Sequence, residues 1–108
     1  MARFEKTFPV SVSTLAARVD KAVMNSSVSV SLEESSNFTF NAVRCAIRVY
    51  ERYSWFGGNR VSMNVTMVGD ERSTKLVAIT SGGSQAVFFK VNTVGEEAFL
   101  DVLKNELM

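Results

Sequence analysis

Histidine is absent from this chain of 108 residues, and cysteine occurs once, as Cys45. One cysteine cannot form an intramolecular disulfide, and a zinc site of the Cys/His type cannot be built from one such chain. A catalytic triad with a histidine base is excluded. Acid–base chemistry would therefore fall to Asp, Glu, Lys, Tyr or Cys side chains, and the sequence predicts neither a metal site nor a cofactor.

An excess of charge is also lacking, because twelve basic residues face eleven acidic ones, for a net charge of +1. This balance gives no reason to expect a polyanionic partner. No segment has the run of about 20 apolar residues that spans a membrane, and the start, MARFEKTFPVS, does not resemble a signal peptide. We therefore expect a cytoplasmic protein without a membrane partner, folded as one domain over residues 1–108.

Two segments have the apolar spacing of an amphipathic helix. The first predicts a helix from about Ser11 to Asn25, with Ser11 or Ser13 as its N-cap. The second begins with a capping-box pattern at 93–96, which places Glu96 in the first turn. Its predicted buried stripe consists of Phe99, Leu100, Leu103 and Leu107.

Six segments are typical of strands, namely residues 3–8, 27–34, 42–55, 60–69, 74–81 and 84–91. The intervening SSNFTFN is predicted as a loop or a strand end. Alternation predicts an inner face made of Val43, Cys45, Ile47 and Val49, followed by Val61, Met63, Val65 and Met67. Because both inner sets carry odd numbers, the loop between these two strands should hold an odd number of residues. The prediction is a three-residue loop, or a bulge, with Gly58 or Asn59 in the left-handed conformation.

The order β-α-β-β-β-β-β-α predicts an α+β fold in two layers. A curved antiparallel sheet of five to six strands would carry both helices on one face. This layout is similar to those of helix-grip and TATA-binding-protein-like domains, a similarity of topology that implies no function.

The segment SGGSQ has two interpretations. Gly82, Gly83 and Ser84 could form a backbone nest for an anion. Known phosphate loops, however, lead directly into a helix, whereas a strand is predicted here. The pattern therefore favours a hairpin turn between two strands.

Arginine recurs on one face of the segment 43–53. Arg44, Arg48 and Arg52 share that predicted face with Tyr50, and such a set can bind single-stranded nucleic acid through stacking and phosphate contacts. The alternative is a solvated face whose arginines meet acids on neighbouring strands. The net charge near zero favours the solvated face.

The same predicted strand would place three further residues at the rim of an apolar concavity: Glu51, Tyr53 and Trp55. Glu51 could orient a ligand there or act as a base, or it could lie in solvent near Arg60. Met63 and Met67 could line a pocket for an apolar ligand. The plainer interpretation makes both methionines core residues, and Cys45 likewise a packing residue.

The stretch AITSGGSQAVFFKVNTVGEEAFLDVL, residues 78–103, resembles a family of small bacterial proteins that is a domain of unknown function. The likeness is carried by GGSQ, by Phe-Phe-Lys and by the Gly-Glu-Glu that begins the second helix. This resemblance implies a bacterial, cytoplasmic, single-domain protein. It brings no activity, ligand or catalytic residue.

The function expected from the sequence is non-catalytic: a domain that binds a small apolar or anionic ligand, or a protein. The alternatives are a nucleic-acid binder that uses the arginine face and a small enzyme that uses Glu51. The fifth and sixth strands are apolar on both faces, which predicts a homodimer with Val77, Ile79 and Phe88 in its interface.

Overall fold

The computed structural model describes residues 1–26, 29–53, 60–82 and 89–107, with side chains from residue 96 onward in the last range. These residues form an α+β fold, which confirms the predicted class. In chain order the elements are β1 (Ala2–Phe8), α1 (Val12–Met24), β2 (Val30–Phe40), β3 (Val43–Tyr53), β4 (Arg60–Gly69), β5 (Thr74–Gly82) and α2 (Phe89–Leu107).

The five strands form one open antiparallel sheet in the order β1-β5-β4-β3-β2. Residues 35–40, predicted as a loop or strand end, belong to β2, and a two-residue turn connects β2 to β3. Asn41 occupies this turn with a φ of 57°, a left-handed conformation that asparagine tolerates better than most residues. A β-bulge shifts the register of β2 between Leu32 and Glu34.

The first helix follows the sequence prediction closely. Ser11 is its N-cap, and the Ser11 hydroxyl accepts a hydrogen bond of 3.2 Å from the backbone N–H of Thr14. This bond satisfies one of the donors that the first turn of a helix leaves unpaired. The face of α1 turned toward the sheet is fully apolar at its centre, where Leu15, Val19 and Val23 are completely buried.

The core lies between the helices and one face of the sheet, which we call the covered face. Both helices contact each other and this face. On β4 the covered face consists of Val61, Met63, Val65 and Met67, and on β5 it includes Leu76 and Ala78. Met63 and Met67 are therefore core residues, as the plainer interpretation held, and the prediction that they line a ligand pocket is wrong.

The facing predicted for β3 is wrong. Ala46, Arg48 and Tyr50 lie on the covered face. On the opposite, open face, Cys45, Ile47 and Val49 are half-buried and Val43 is exposed. Both faces of this strand carry apolar residues, so alternation alone did not determine its orientation. Acceptors on α1 and β2 compensate the buried polar groups of Arg48 and Tyr50.

The predicted three-residue loop between β3 and β4 is wrong for the same reason. Tyr53 pairs with Arg60, so six residues separate the two strands, an even number. Even-numbered residues of β3 therefore pair with odd-numbered residues of β4 and share the covered face with them. Gly58 and Asn59, the predicted turn residues, lie outside the described residues.

The sixth strand is wrong for residues 89–91, which form the first turn of α2. The helix therefore begins four residues before the predicted capping box, and Glu96 lies within it rather than in its first turn. The Glu96 side chain is buried, and its Oε2 lies 2.6 Å from the amino nitrogen of Met1. Its backbone carbonyl accepts a hydrogen bond of 3.1 Å from the Thr80 hydroxyl, which joins α2 to β5.

The turn between β4 and β5 has a strict steric requirement at Gly69. A Cβ atom at this position would overlap the carbonyl oxygen of Ser73 and lie 2.7 Å from the Cα of Thr74. Asp70 fixes the turn because one carboxylate oxygen accepts hydrogen bonds from the backbone N–H groups of Arg72 and Ser73, at 2.8 and 3.0 Å. These bonds lower the pKa of Asp70.

Candidate ligand-binding groove

A groove of about 420 Å³ lies between α1 and the hairpin formed by β2 and β3. The helix contributes one wall and the covered side of the hairpin contributes the other. The lining residues are Val12, Ser13, Ala16, Ala17, Asp20, Asn37, Phe38, Thr39, Arg44, Cys45, Ala46 and Arg48. Small apolar side chains form much of the helix wall, and polar groups lie at both ends of the groove.

A hydrogen-bonded network closes the inner end of the groove. The Tyr50 hydroxyl donates to a carboxylate oxygen of Asp20, and the Arg48 Nε lies 3.4 Å from the same oxygen. Arg48 Nη1 also donates to Asn37 Oδ1 at 2.9 Å and to the carbonyl oxygen of Ile47 at 3.0 Å. The network therefore joins α1 to β3 and β2 and holds the Arg48 guanidinium in one position.

The environment of Tyr50 keeps its phenol protonated. Burial raises the pKa of Tyr50 above its ordinary value, and the hydrogen bond to Asp20 raises it further. The side chain is completely buried, so the hydroxyl acts as a donor that positions the Asp20 carboxylate. This arrangement supports the wall of the groove and places the hydroxyl out of contact with solvent.

The mouth of the groove carries a cation. Arg44 is exposed and forms no ion pair with any residue that the structure describes. The hydroxyl residues Ser13 and Thr39 line the same groove, Ser13 from the first turn of α1 and Thr39 from β2. Within the lining, the two guanidinium groups of Arg44 and Arg48 outnumber the single carboxylate of Asp20, so the local charge is positive.

The four residues predicted as a nucleic-acid face lie on the covered side of the sheet, which corrects the prediction that the arginines point into solvent. Arg48 and Tyr50 are buried, and Arg52 is half-buried with its guanidinium carbon 4.8 Å from the centre of the Phe99 ring. Burial lowers the pKa of Arg52. Arg44 alone of the four is exposed, and the buried Tyr50 ring cannot stack on a base.

Glu51 does not lie at the rim of an apolar concavity, which corrects that prediction. It lies on the open face, where its Oε2 is 3.5 Å from Arg60 Nη1, as the solvent interpretation expected. Glu51 and Tyr53 share a hollow of about 170 Å³ with Arg60 and three residues of the β2 segment. Of the predicted ligand residues, these two are brought together.

The remaining predicted ligand residues define no site. Gly82 is half-buried at the end of β5. Trp55, Gly83 and Ser84 lie outside the described residues, and so does the predicted interface residue Phe88. The choice between an anion nest and a hairpin turn at 82–83 is therefore untested.

A further hollow of about 480 Å³ lies between α1 and α2. Its lining residues are Arg18, Lys21, Ala22, Asn25, Ser26, Val102, Asn105 and Glu106. Most of these side chains are exposed, and Ala22 alone is buried. Among its described lining residues, the hollow lacks a hydrogen-bonded network of side chains like that of the groove.

Comparison with known families matches the whole chain, residues 1–108, to a family model described as a family of unknown function (DUF6054). The chain belongs to this family. The membership confirms the resemblance to a small domain of unknown function. No curated protein and no solved structure matches the chain.

Within residues 1–26, 29–53, 60–82 and 89–107, no cluster of three or more His, Cys, Asp or Glu side chains could hold a metal ion. Over the same residues, neither helix is both long and apolar enough to cross a membrane.

Sequence reasoning missed Ser13, Asn37 and Thr39 as lining residues. None of them carries a spacing that distinguishes it from an ordinary polar surface residue. Asp20 did carry a signal, because it lies four residues after the buried Ala16 and borders the apolar face of α1. An acid at the border of an apolar face can accept a hydrogen bond from a buried donor of the element packed against it.

Proposed function

We propose that this protein is a non-catalytic binding domain whose groove holds a small organic anion. The observation that carries the proposal is Arg44, an exposed guanidinium without an ion-pair partner among the described residues, at the groove between α1 and the hairpin. An arginine can donate two parallel hydrogen bonds to a carboxylate or phosphate, which gives both affinity and orientation.

The rest of the groove fits the apolar part of such a ligand. Val12, Ala16 and Ala46 are buried side chains that contribute to its lining. The volume of about 420 Å³ lies within the range typical of small-molecule sites. Ser13 and Thr39 provide hydroxyl groups that can hydrogen-bond the ligand beside the guanidinium.

Calorimetric titration with hexanoate, benzoate and inorganic phosphate tests the proposal. Hydrogen bonds to a charged group contribute about 1.5–3 kcal/mol. Arg44→Gln should therefore weaken binding of the best probe by roughly tenfold or more. The two carboxylates should bind more tightly than phosphate, because only they place apolar atoms against the alanine-rich wall.

Arg18→Gln is the matched control, since it removes the same charge from an exposed arginine of the hollow between the helices. It should bind every probe as the wild type does. Equal weakening by both variants would show that the anion responds to overall charge rather than to the groove. No detectable binding of any of the three probes would contradict the proposal.

The nucleic-acid alternative makes a different prediction in the same assay. A single-stranded oligonucleotide at low salt should bind more tightly than the small anions, with a steep loss of affinity as salt rises. If the groove binds small anions, the oligonucleotide should not bind more tightly than they do, because the Tyr50 ring is not accessible to a base.

A further inference from the structure

The open face of the sheet carries an ordered pattern of apolar and charged side chains. The strand register aligns one residue from each strand into rows across this face. One row runs Glu34, Val49, Asn64, Ile79 and Arg3, from β2 to β1. Both helices lie on the other side of the sheet, and Ile79 is 39% exposed.

The next row repeats the order apolar, polar, apolar at its three inner positions, on β3, β4 and β5. It runs Ser36, Ile47, Thr66, Val77 and Glu5. In both rows an apolar residue of β3 and an apolar residue of β5 flank a polar residue of β4. The apolar positions are thus placed symmetrically about β4, which is the central strand of the five in the sheet order.

From this pattern we infer that the open face is a homodimer interface in which two copies pack face to face, related by a two-fold axis parallel to β4. Such an axis reverses each row, so β3 of one copy lies over β5 of the other. Val49 then meets Ile79 of the second copy, and Ile47 meets Val77. The inference concerns the opposite side of the sheet from the groove and does not depend on a ligand there.

The charges at the two edges match under the same axis. Glu34 at the β2 edge forms no ion pair with a described residue, and its row ends at Arg3 on the β1 edge. Reversal of the row brings Glu34 over Arg3 of the second copy. Arg3 lies 3.4 Å from Glu5 within its own chain, so the second carboxylate adds to an existing cluster. A two-fold axis across the strands would instead place β2 over β2 and leave Glu34 without this cation.

Sheet geometry preserves this match. Facing sheets pack about 10 Å apart with their strands rotated by about 30°. Neighbouring strands are about 4.8 Å apart, so the rotation displaces the residues of β3 and β5 by only about 2.5 Å along the strand. Residues on one face of a strand repeat about every 7 Å, so the apolar pairs remain in contact. At the edges the displacement of about 5 Å lies within the reach of arginine and glutamate side chains.

The size of the face sets the expected affinity. Five strands about 4.8 Å apart and four rows about 7 Å apart cover roughly 650 Å² per copy. The total of about 1,300 Å² is at the low end of specific interfaces. We therefore expect a reversible dimer that dissociates in the micromolar range rather than an obligate one.

Sedimentation equilibrium from about 1 to 200 μM measures the assembly directly, a range chosen around the expected dissociation constant. The wild type should pass from monomer to dimer across this range. Ile79→Asp places a charge in the interface and should weaken the dimer at least tenfold. Met24→Asp is the control, because Met24 has a similar exposure of 41% but lies at the end of α1. It should dimerise as the wild type does.

Charge exchange tests the axis. Glu34→Arg and Arg3→Glu should each weaken the dimer, and the double variant should regain most of the lost affinity. Circular dichroism confirms that each variant is folded before its assembly is measured by sedimentation equilibrium. A wild type that stays monomeric at 200 μM, or a folded Ile79→Asp that dimerises normally, overturns the interface. If the double variant dimerises no more tightly than either single variant, the proposed orientation of the two-fold axis is wrong.

Discussion

The hydrogen bond between Tyr50 and Asp20 joins α1 to the sheet. Mutation of the donor and mutation of the acceptor should lower the free energy of unfolding by very different amounts. Tyr50 is completely buried, whereas the Asp20 side chain is 40% exposed. Tyr50→Phe leaves a carboxylate that water can reach and that still lies beside Arg48. Only the net value of the hydrogen bond is lost, which is about 1–1.5 kcal/mol of the free energy of unfolding.

Asp20→Ala should cost about twice as much. It leaves the buried phenol without an acceptor, which costs about 1–3 kcal/mol. It also removes the carboxylate 3.4 Å from Arg48 Nε. Because Asp20 is partly exposed, this ion pair adds no more than about 1 kcal/mol. We expect about 3 kcal/mol in total. The double variant should lose less than Asp20→Ala, since the phenylalanine ring that replaces the phenol needs no acceptor.

Urea unfolding at pH 7, followed by far-ultraviolet circular dichroism, gives the four free energies of this double-mutant cycle. The coupling energy should be about 1 kcal/mol or more. Additive effects, or an Asp20→Ala variant within about 0.5 kcal/mol of the wild type, would refute the assignment of this bond. A change of about 0.5 kcal/mol or less in the free energy of unfolding is typical of an ordinary surface substitution.

The same pair predicts a pH dependence. The pKa of Tyr50 is raised in the folded state, first by burial and then by Asp20. The unfolded chain therefore releases this proton first, at about pH 10. The stabilisation is fully present below that pH and is lost as pH rises above it. Stability of the wild type should consequently fall more steeply above pH 10 than that of Tyr50→Phe, and parallel curves would contradict the burial of the phenol.

Two further predictions concern the turn between β4 and β5. Gly69→Ala forces a Cβ atom against the backbone of Ser73 and Thr74 and should lower the free energy of unfolding by about 2–3 kcal/mol; Glu71→Ala, an exposed change in the same turn, should leave it within about 0.5 kcal/mol. The lowered pKa of Asp70 contributes stability above its unfolded pKa of about 3.9. The difference in urea stability between the wild type and Asp70→Ala should therefore shrink as pH falls from 5 to 2, and a constant difference would contradict this linkage.

Local signals in the sequence predicted the elements whose partners lie nearby in the chain. Ser11 identified the start of α1, because a side-chain oxygen there accepts from the first turn of the same helix. Alternation identified the inner face of β4, since its other face carries polar residues such as Asn64 and Thr66. For β4, one orientation of the strand therefore placed far more apolar surface in the core than the other.

The orientation of β3 could not be predicted in this way. A rotation of β3 by 180° about its axis would bury the apolar residues around Ile47. In the structure the covered face of the strand instead carries Ala46, Arg48 and Tyr50. Burial of the second set is favourable only because Asp20 of α1 and Asn37 of β2 lie within hydrogen-bonding distance. Those contacts are made across 30 and 11 residues of chain, and no local pattern reports them. The residues of the groove were missed for the same reason.

The start of α2 could not be predicted, because its first residues are types that favour strands. Phe89 and Val91 favour strands by intrinsic propensity, yet both lie in the helix. Propensity differences of this kind are small and are overridden by tertiary packing. The contacts of α2 with β5, β1, β4 and α1 position this helix on the sheet.

The exposed edge of β2 determines how copies of this protein can join. Ten of its eleven residues are exposed, and such an edge can template strand addition without end, as in fibrils. The bulge between Leu32 and Glu34 interrupts the row of backbone donors and acceptors, and Glu33 and Glu34 add like charges that repel a parallel copy. Two copies that pack face to face about a two-fold axis form a closed pair, whereas head-to-tail addition of the β2 edge to the β1 edge of the next copy forms an open polymer. The two glutamates and the bulge thus favour solubility at high concentration, and straightening this edge should convert the protein into an aggregating one.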